Sequence, residues 1–332
     1  MDQRPGLDPS VAEVRRAVRA ALAGVEGTVV VALSGGPDSL ALAAATAFEA
    51  PRAGVRAEAV VVDHGLQDGS NAVASAAADA ARALGLEAAV VTVEVGSADG
   101  PEAAARDARY AGLARAASGA GADTVLLGHT LDDQAETVLL GLARGSGTTS
   151  LAGMAPQRQD ATGPTWLRPL LGVRRQTTVA ACAAQGLVPW ADPHNSDPAY
   201  TRVRVRDRVL PLLEAELGPG VAEALARTAD QLREDAAAFQ EMIDETIEDI
   251  VEHAEAGISV SVAALAANPA ALRHRIVRYV VQSEFGASLT RTQTLEVARL
   301  ATDWRGQGPI DLPGCLARRV GGRIEIVARA AS

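Results

Sequence analysis

The sequence of 332 residues contains no lysine, so all 31 of its basic residues are arginine. This absence excludes a phosphate-binding loop of the Walker type, a lysine Schiff base and the lysine–glutamate pair of protein kinases, because each needs a lysine amine. Aromatic residues make up only 3% of the chain, which argues against extensive stacking on nucleic-acid bases. Any phosphate chemistry therefore has to use backbone amides, hydroxyl groups and arginine.

Cysteine is scarce as well, since Cys182 and Cys315 are the two that the chain contains and they stand far apart. They form neither a disulfide framework nor a CxxC pair that could hold zinc or an iron–sulfur cluster. Reduced cysteines are the default in the cytosol. The N-terminal residues lack the apolar core of a signal peptide, and no apolar run approaches the roughly 18 residues of a membrane span. We therefore expect a cytoplasmic protein that does not contact a membrane.

Charge is distributed unevenly along the chain, whose net charge is −10. Residues 1–150 carry 11 arginines and 19 acids, and residues 221–267 carry 2 and 11. In contrast, residues 151–220 carry 8 arginines and 6 acids, and residues 268–332 carry 10 and 5. The acidic total argues against nucleic-acid binding over the whole surface. A local basic surface formed by the two positive segments stays open, as does plain solvation of their arginines.

Short apolar runs alternate with helical patterns in the first part of the chain. The pattern predicts strands over 28–33, 58–63, 88–95 and 123–128, with helices over 38–49, 71–84, 101–118 and 131–143. This alternation is typical of an α/β fold with a doubly wound parallel sheet and helices on both faces. Ligands bind such sheets at the carboxyl ends of the strands, so we expect the site there.

The rest of the chain has a different pattern. Residues 144–200 are rich in Gly, Pro and Ser and predict loops around one helix near 174–185, and a helix is predicted over 201–217. A long amphipathic stretch then predicts a connecting helix, and the tail predicts helices over 262–266, 269–285 and 291–300 and a small pair of strands over 314–320 and 322–328. We therefore expect an α/β domain over 1–217, a long linker helix over 218–257 and a smaller α+β domain over 258–332.

The most informative segment follows the first strand and consists of Ser34, Gly35, Gly36, Pro37, Asp38 and Ser39. Two glycines allow a tight turn that exposes N–H groups at the start of a helix, and this arrangement binds phosphate. The serine hydroxyls add donors. Asp38 can face a phosphate only with a cation between them, so it predicts Mg²⁺. The alternative is an ordinary strand–turn–helix whose Asp favours the helix dipole.

A second group of polar residues follows the fourth strand. Asp132 and Glu136 are four residues apart and share a helix face, with Asp133 to one side and His129 just before them. Like charges at this spacing repel by a few tenths of a kcal/mol. A cation among the acids, either Mg²⁺ or an amine, would relieve this repulsion, so the acids are candidates to bind one. The alternative is that they favour the dipole at a helix N-terminus, and that His129 is structural.

The turn at residues 34–39 resembles the SGGxDS loop of the N-type ATP pyrophosphatases. Within that group, several segments resemble the tRNA(Ile)-lysidine synthetase family: GHTLDDQAETVLLGLARGSG (128–147), VVDHGLQDGS (61–70), ARDARY (105–110), and RPLL (168–171) followed by WADPHNSDPAYTRVRVR (190–206). The resemblance covers residues 1–217, and Asn195, Asp197, Arg202 and Arg206 match the family pattern. His194, Val203 and Gly141 differ from the residues usual there.

This resemblance implies a PP-loop, Rossmann-like catalytic domain and a ligase that uses ATP and Mg²⁺. The implied reaction adenylates the wobble cytidine of an isoleucine tRNA with a CAU anticodon and joins free L-lysine to its C2 atom, with release of AMP and pyrophosphate. We therefore expect tRNA, L-lysine and ATP as partners, and we allow for a homodimer.

The resemblance also implies roles for individual residues. The implied catalytic residues are Asp38, Asp132, Asp133, Glu136, Arg106 and His129. The implied nucleotide-binding residues are Ser34, Gly35, Gly36, Pro37, Asp38, Ser39, Val62, His64, Arg109 and Arg206. Asp38 and Asp133 are the implied metal ligands. The arginines suit phosphate groups, and an acid or His129 is needed to deprotonate the lysine amine, whose ordinary pKa is about 10.4.

Two other functions fit parts of the pattern. A PP-loop tRNA thiolase shares the turn but needs reactive cysteines or a cluster, and a non-catalytic ATP sensor would not need three acids after the fourth strand. The residues that contact RNA also stay open. Arg202, Arg204, Arg206 and Arg208 alternate by two, so at most two or three face one line of phosphates on a helix. Either RNA contact or solvation explains Arg273, Arg275, Arg278, Arg318, Arg319 and Arg323.

Overall fold

The computed structural model describes residues 6–65, 69–96, 101–145, 147–191, 197–254 and 257–329. The chain divides into two compact units, Met1–Arg233 and Glu234–Ser332. This division falls within a long helix, Val221–Ile250, in the segment for which a linker helix is predicted. The predicted domain limits themselves stay predictions. Within the described ranges, no helix is both long and apolar enough to span a bilayer.

The first unit contains ten helices among its described residues, the last of which continues into the second unit: α1 (Pro9–Ala21), α2 (Pro37–Glu49), α3 (Ser70–Ala83), α4 (Pro101–Gly119), α5 (Leu131–Ala143), α6 (Thr148–Leu151), α7 (Arg175–Ala184), α8 (Thr201–Arg204), α9 (Leu210–Leu217) and α10 (Val221–Ile250). Its described strands are β1 (Thr28–Leu33), β2 (Arg56–Asp63), β3 (Glu87–Thr92), β4 (Ala122–Leu126), β5 (Gln157–Gln159) and β6 (Thr165–Leu167). A short 3₁₀ helix at Pro51–Ala53 joins α2 to β2.

The six strands form one sheet in the order β3-β2-β1-β4-β6-β5. All neighbours are parallel except β5, which pairs with β6 in the antiparallel sense. Val29, Val30 and Val31 of the central strand β1 are fully buried, because helices cover both faces. Val29 and Val31 belong to the core formed with α1, α2, α3 and α7, and Val30 belongs to the core formed with α4. The doubly wound α/β sheet is confirmed.

Two parts of the first unit differ from the sequence expectation. The predicted loops of 144–200 contain β5 and β6, whose three residues each are too short to show a two-residue period. The predicted helix over 201–217 is interrupted by a π-helical turn, Val205–Val209. Pro211 follows two residues later and has no N–H to continue the hydrogen bonds of a regular helix, which explains an irregularity at this place.

The second unit has its own core around an antiparallel sheet. Its described helices after α10 are α11 (Val262–Ala267), α12 (Ala270–Phe285) and α13 (Arg291–Thr302), and its strands are β7 (Val251–Ala254), β8 (Gly257–Ser261), β9 (Ile310–Leu312), β10 (Cys315–Val320) and β11 (Arg323–Ala328). The sheet order is β7-β8-β11-β10-β9. The sequence predicted the pair β10 and β11 but missed the other three strands of this five-stranded sheet. Strand β7 follows α10 without a break, and no turn residue in the sequence separates the two.

Candidate active site

The turn after β1 is shaped by glycine. Gly35 has φ +82°, a conformation that side chains with a Cβ rarely adopt. A Cβ there would also lie 3.4 Å from the Cβ of Ala77 and 3.6 Å from the Cβ of Trp190. Gly36 is the N-cap residue of α2, and no side chain caps this helix. Because first-turn amides have no partner within a helix, the N–H groups at the start of α2 are available to a ligand.

The two serines of the turn bind each other. The hydroxyl of Ser39 accepts the N–H of Ser34 at 3.1 Å and donates to the carbonyl of Gly36 at 3.0 Å. The hydroxyl oxygen of Ser34 lies 3.0 Å from the hydroxyl oxygen of Ser39. These bonds hold the turn in shape. Gly128, just after β4, allows the end of that strand to approach the turn, because a Cβ at Gly128 would lie 3.1 Å from the backbone nitrogen of Ser39.

Asp38 lies in the first turn of α2 and accepts two hydrogen bonds from α7. The donors are the hydroxyl of Thr178 and Nε of Arg175, the latter at 3.3 Å. Burial raises the pKa of Asp38 above its ordinary value, and the nearby charge of Asp133 adds to this, while Thr178 and Arg175 oppose it. The structure therefore places Asp38 beside the acids that follow β4, although the two segments are far apart in the sequence.

Asp132 and Asp133 both cap helices. Asp133 forms a capping box with Thr130 at the start of α5, accepting the N–H of Thr130 at 2.8 Å. Asp132 accepts the backbone N–H of Arg175 at 2.7 Å and so caps α7. Burial alone would raise the pKa of Asp133, but Arg175 and the bonds from Thr130 outweigh it and lower that pKa. Both acids thus have a structural role of the kind that the sequence left open.

Glu136 is the most buried of these acids, with a side chain that is 0% exposed. Its Oε1 accepts Nε of Arg206 at 2.8 Å and Nη1 of Arg175 at 3.1 Å, and its Oε2 lies 3.1 Å from Nε of Arg202. Arg202 and Arg206 are four residues apart, so they reach the same carboxylate. The structure therefore directs these two arginines toward Glu136. Asn195, the neighbouring residue of the implied motif, lies outside the described residues.

Arg175 connects all of these acids and was not singled out in the sequence. Its guanidinium contacts Asp38 through Nε at 3.3 Å, Asp133 through Nη2 at 2.7 Å and Glu136 through Nη1 at 3.1 Å. Burial alone would lower the pKa of Arg175, but the carboxylates outweigh it and raise it. We call Asp38, Asp132, Asp133 and Glu136 the acid cluster. Arg175 is the cation at its centre.

The predicted histidines lie just after the ends of two strands of the sheet. His129 follows β4, and its buried Nδ1 has no hydrogen-bond partner among the described residues. Burial lowers the pKa of His129 to about 3, and Arg168 and Arg109 add to this, while Asp133 opposes it. His64 follows β2, and burial with the charge of Arg109 lowers its pKa as well. Both imidazoles are therefore neutral at pH 7.

The two predicted arginines of α4 lie around an aromatic ring. The guanidinium carbons of Arg106 and Arg109 are 5.2 and 5.9 Å from the ring centre of Tyr110. Arg109 is half-buried and has no carboxylate partner within the described ranges, and burial lowers its pKa. An uncompensated guanidinium in such a place suits an anionic ligand. Val62, the remaining predicted residue, lies in β2 opposite Val91 of β3 and packs against the core beneath α4.

Two carboxylates of the acid cluster have the chemistry that magnesium prefers in its protein ligands. The described residues contain no group of three or more His, Cys, Asp or Glu side chains arranged to hold a metal. However, Mg²⁺ is usually held by one or two carboxylates together with waters and substrate phosphates. Asp38 and Asp133 supply two carboxylates that contact the same guanidinium, beside a turn that offers amides to phosphate.

Comparison with known families, like the structure, divides the chain into two parts. Residues 11–213 match a family model described as a PP-loop domain, and residues 261–325 match a TilS substrate binding domain. The tRNA(Ile)-lysidine synthase of Leifsonia xyli is 60% identical over 89% of this chain and 88% of its own length. That of Thermobifida fusca is 50% identical over 97% of this chain and 99% of its own length. The chain belongs to the tRNA(Ile)-lysidine synthase family.

A solved structure supports the fold of this lysidine synthase family member. The U34-tRNA thiolase NcsA from Methanococcus maripaludis, solved with its [4Fe-4S] cluster, superimposes with a TM-score of 0.57 over 68% of this chain and 80% of that chain. The sequence identity is 22%, so the likeness concerns the fold alone. In the present chain, Cys182 does not have the properties of a reactive thiol. Cys182 is buried, and burial together with Asp38 raises its pKa to about 11, so the thiol stays protonated.

Proposed function

We propose that this chain is a carbon–nitrogen ligase that uses ATP to join L-lysine to C2 of the wobble cytidine in an isoleucine tRNA with a CAU anticodon. Membership of the lysidine synthase family supports the reaction class and supports ATP and tRNA as substrates. The observation that carries the proposal is the uncapped turn of residues 34–39, which lies directly beside the acid cluster. The turn suits the triphosphate of ATP, and the acid cluster suits cations.

In the first step, the C2 oxygen of the cytidine attacks the α-phosphorus of ATP and pyrophosphate leaves. The open N–H groups at the start of α2 hold phosphate oxygens, and the helix dipole favours their negative charge. Arg109, which lacks a carboxylate partner in the described part of the chain, neutralises charge that develops on the leaving group. Asp38 and Asp133 would hold Mg²⁺, which would supply Lewis-acid stabilisation of the phosphate charge.

In the second step, the ε-amine of lysine attacks C2 and AMP leaves. The amine must lose a proton before it attacks. Beside Asp38, Asp132 and Asp133 have exposed side-chain surface, at 19% and 14%. The lowered pKa of Asp133 keeps it ionised, as binding of an ammonium requires. Glu136 has no exposed surface and three arginine partners. We assign Glu136 to positioning these arginines.

For the tRNA, the second unit offers a surface whose positive charges have no internal partners. His274 and Arg278 share a face of α12, and Arg291 begins α13, which packs against α12. No carboxylate in the described ranges pairs with them. Burial lowers the pKa of His274, and the neighbouring arginines add to this, so its imidazole is neutral at pH 7. In contrast, Arg318 binds Glu325 at 2.9 Å and Arg323 binds Glu252 at 3.0 Å. We call Arg278, Arg291 and the neutral His274 the α12–α13 patch and assign its two arginines to RNA phosphates.

The two alternatives differ from the ligase in what they consume. A thiolase needs a sulfur donor and reactive cysteines, whereas Cys182 and Cys315 are both buried free thiols. An ATP sensor transfers nothing to RNA. The family comparisons and the acid cluster favour the ligase.

The test is incubation of the protein with ATP, labelled L-lysine and bulk tRNA, followed by nucleoside analysis by mass spectrometry. The expected product is a cytidine enlarged by one lysine less one water, with one AMP released for each product. Labelled lysine absent from tRNA while AMP is formed would contradict the ligase. Incorporation of sulfur would identify a thiolase instead. Light scattering and cell fractionation test the homodimer and the cytoplasmic location, which stay predictions.

A further inference from the structure

Arg175 uses every nitrogen of its side chain on the acid cluster. Nε faces Asp38 at 3.3 Å, Nη2 faces Asp133 at 2.7 Å and Nη1 faces Glu136 at 3.1 Å. Its backbone N–H also donates to Asp132 at 2.7 Å. A buried charge needs counter-charges close by, and these contacts supply them. The same contacts leave the centre of the cluster filled by a cation that belongs to the chain.

The oxygens that Arg175 contacts are those that a metal ion would need. Oδ1 of Asp38 accepts the hydroxyl of Thr178, and Oδ2 of Asp133 accepts the N–H and hydroxyl of Thr130. The other oxygen of each carboxylate, Oδ2 of Asp38 and Oδ1 of Asp133, faces the guanidinium of Arg175. A dication held by these two carboxylates would need the same oxygens and would therefore compete with Arg175 for them.

We propose that Arg175 is a positioning residue that holds Asp38 and Asp133 in place, through one oxygen of each, until a dication displaces its guanidinium from them. Without a cation between them, two adjacent carboxylates repel each other and turn apart. The internal guanidinium prevents this and keeps both carboxylates aimed at one point. It also weakens binding of the metal alone, because the metal must first break two ion pairs. This inference deepens the proposed function and rests on it.

The surroundings of Arg175 allow its charge to be removed without leaving bare buried acids. Glu136 keeps Arg202 and Arg206, Asp133 keeps Thr130, and Asp38 keeps Thr178. Arg175→Gln should therefore fold, as a thermal melt can show. Arg202→Gln is the matched control, since Arg202 contacts Glu136 and Thr137 and has no contact with Asp38 or Asp133 in the described structure.

The experiment measures Mn²⁺ binding by electron paramagnetic resonance in the protein without ATP. We expect Arg175→Gln to bind Mn²⁺ about tenfold more tightly than the wild type, because one competing positive charge has been removed. Arg175→Lys should restore weak binding, since it restores the charge. Arg202→Gln should bind as the wild type does. Unchanged Mn²⁺ affinity in Arg175→Gln, or equal tightening in Arg202→Gln, would overturn the displacement of Arg175.

Two further measurements complete the test. In a parallel titration with L-lysine, tighter lysine binding with unchanged Mn²⁺ affinity would place the ammonium of lysine, and not a metal, in competition with Arg175 and would overturn the proposal. Should Arg175→Gln fail to fold, the wild type gives the answer: Mg²⁺ should shift the ¹⁵N signal of the Arg175 side chain, assigned by its absence in Arg175→Lys. A signal that stays fixed at saturating Mg²⁺ would contradict displacement. Lysine transfer to tRNA is measured separately, so failure of the ligase function is distinguishable.

Discussion

The acid cluster of the first unit and the α12–α13 patch of the second unit differ in whether their charged side chains have partners of opposite charge. In the acid cluster, four carboxylates are paired with arginines of the same chain, and Glu136 alone has three arginine neighbours. In the α12–α13 patch, Arg291 stands at the first position of a helix, where a positive charge opposes the helix dipole. Neither it nor Arg278 has an acid partner among the residues that the structure describes.

This difference distinguishes charged side chains that stabilise the fold from charged side chains that are free to bind a ligand. A buried and paired carboxylate is already held in one orientation, so its partners can position it for a small cation. An unpaired arginine on a surface gains most from an anion that comes from outside, and RNA phosphates provide one. The comparison also separates two sets of arginines in the second unit, because Arg318 and Arg323 are paired with acids.

The largest effect on stability should come from removing the centre of the paired region. Glu136→Ala leaves three arginines without their buried carboxylate, and we expect a loss of about 3–5 kcal/mol in the free energy of unfolding. Urea melts measure it. Glu223→Ala is the control, because Glu223 pairs with Arg174 at 3.3 Å with 38% of its side chain exposed, and it should cost at most about 1 kcal/mol. Equal losses would mean that Glu136 is no more important than a surface acid.

Asp38→Ala should separate the catalytic role of an acid from its structural role. The protein should fold, because the Thr178 hydroxyl, freed from Asp38, can donate to the carbonyl of Arg175, which lies 2.7 Å away, and Arg175 keeps Asp133 and Glu136. AMP formation should fall by roughly 100- to 1,000-fold, as expected when charge stabilisation at phosphate is lost. Release of AMP and a thermal melt are measured together. A melting temperature that collapses along with activity would make Asp38 a structural residue.

The neutral His129 should make stability depend on pH. Its pKa is lowered to about 3 in the folded protein, so the unfolded chain takes up a proton below pH 6.5 while the folded protein does not. Stability therefore falls as pH falls from about 6.5, by up to about 1.4 kcal/mol per pH unit from this group. His129→Gln should remove that part of the slope in urea melts between pH 7 and 5. Identical slopes in the two proteins would show that His129 is protonated in the fold.

The α12–α13 patch should control the salt dependence of tRNA binding. Replacing Arg278 and Arg291 together by Ala should reduce the slope of log affinity against log salt concentration by about 1.4–1.8, as expected for two lost phosphate contacts. The matched control replaces Arg318 and Arg323, which are paired with acids, and should change the slope less. A larger change in the control would move the RNA surface to the strands β10 and β11.

The smallest effect is expected from the cysteines. Cys182→Ala together with Cys315→Ala should leave lysine transfer within about twofold of the wild type, because both thiols are buried and burial raises the pKa of each. Loss of transfer with an unchanged melting temperature would show that a thiol takes part in the chemistry.

The sequence was sufficient where local pattern decides structure. The strands β1 to β4, the helices between them and the turn of residues 34–39 follow from β-branched runs and glycine. The short strands β5 and β6 and the strands β7 to β9 were missed, since three to five residues show no clear period. Arg175 was missed because its contact with Asp38 joins residues 137 positions apart. Such a contact depends on the order of elements in the sheet, which a single sequence does not display.

Binding of ATP at the uncapped turn of residues 34–39 is the claim on which the proposed reaction depends. A crystal structure of the protein with Mg²⁺ and a non-hydrolysable ATP analogue tests it most directly. We expect phosphate oxygens within hydrogen-bond distance of the N–H groups at the start of α2, and a dication that contacts Asp38. A nucleotide bound elsewhere, with the turn empty at saturating analogue, would contradict the assignment.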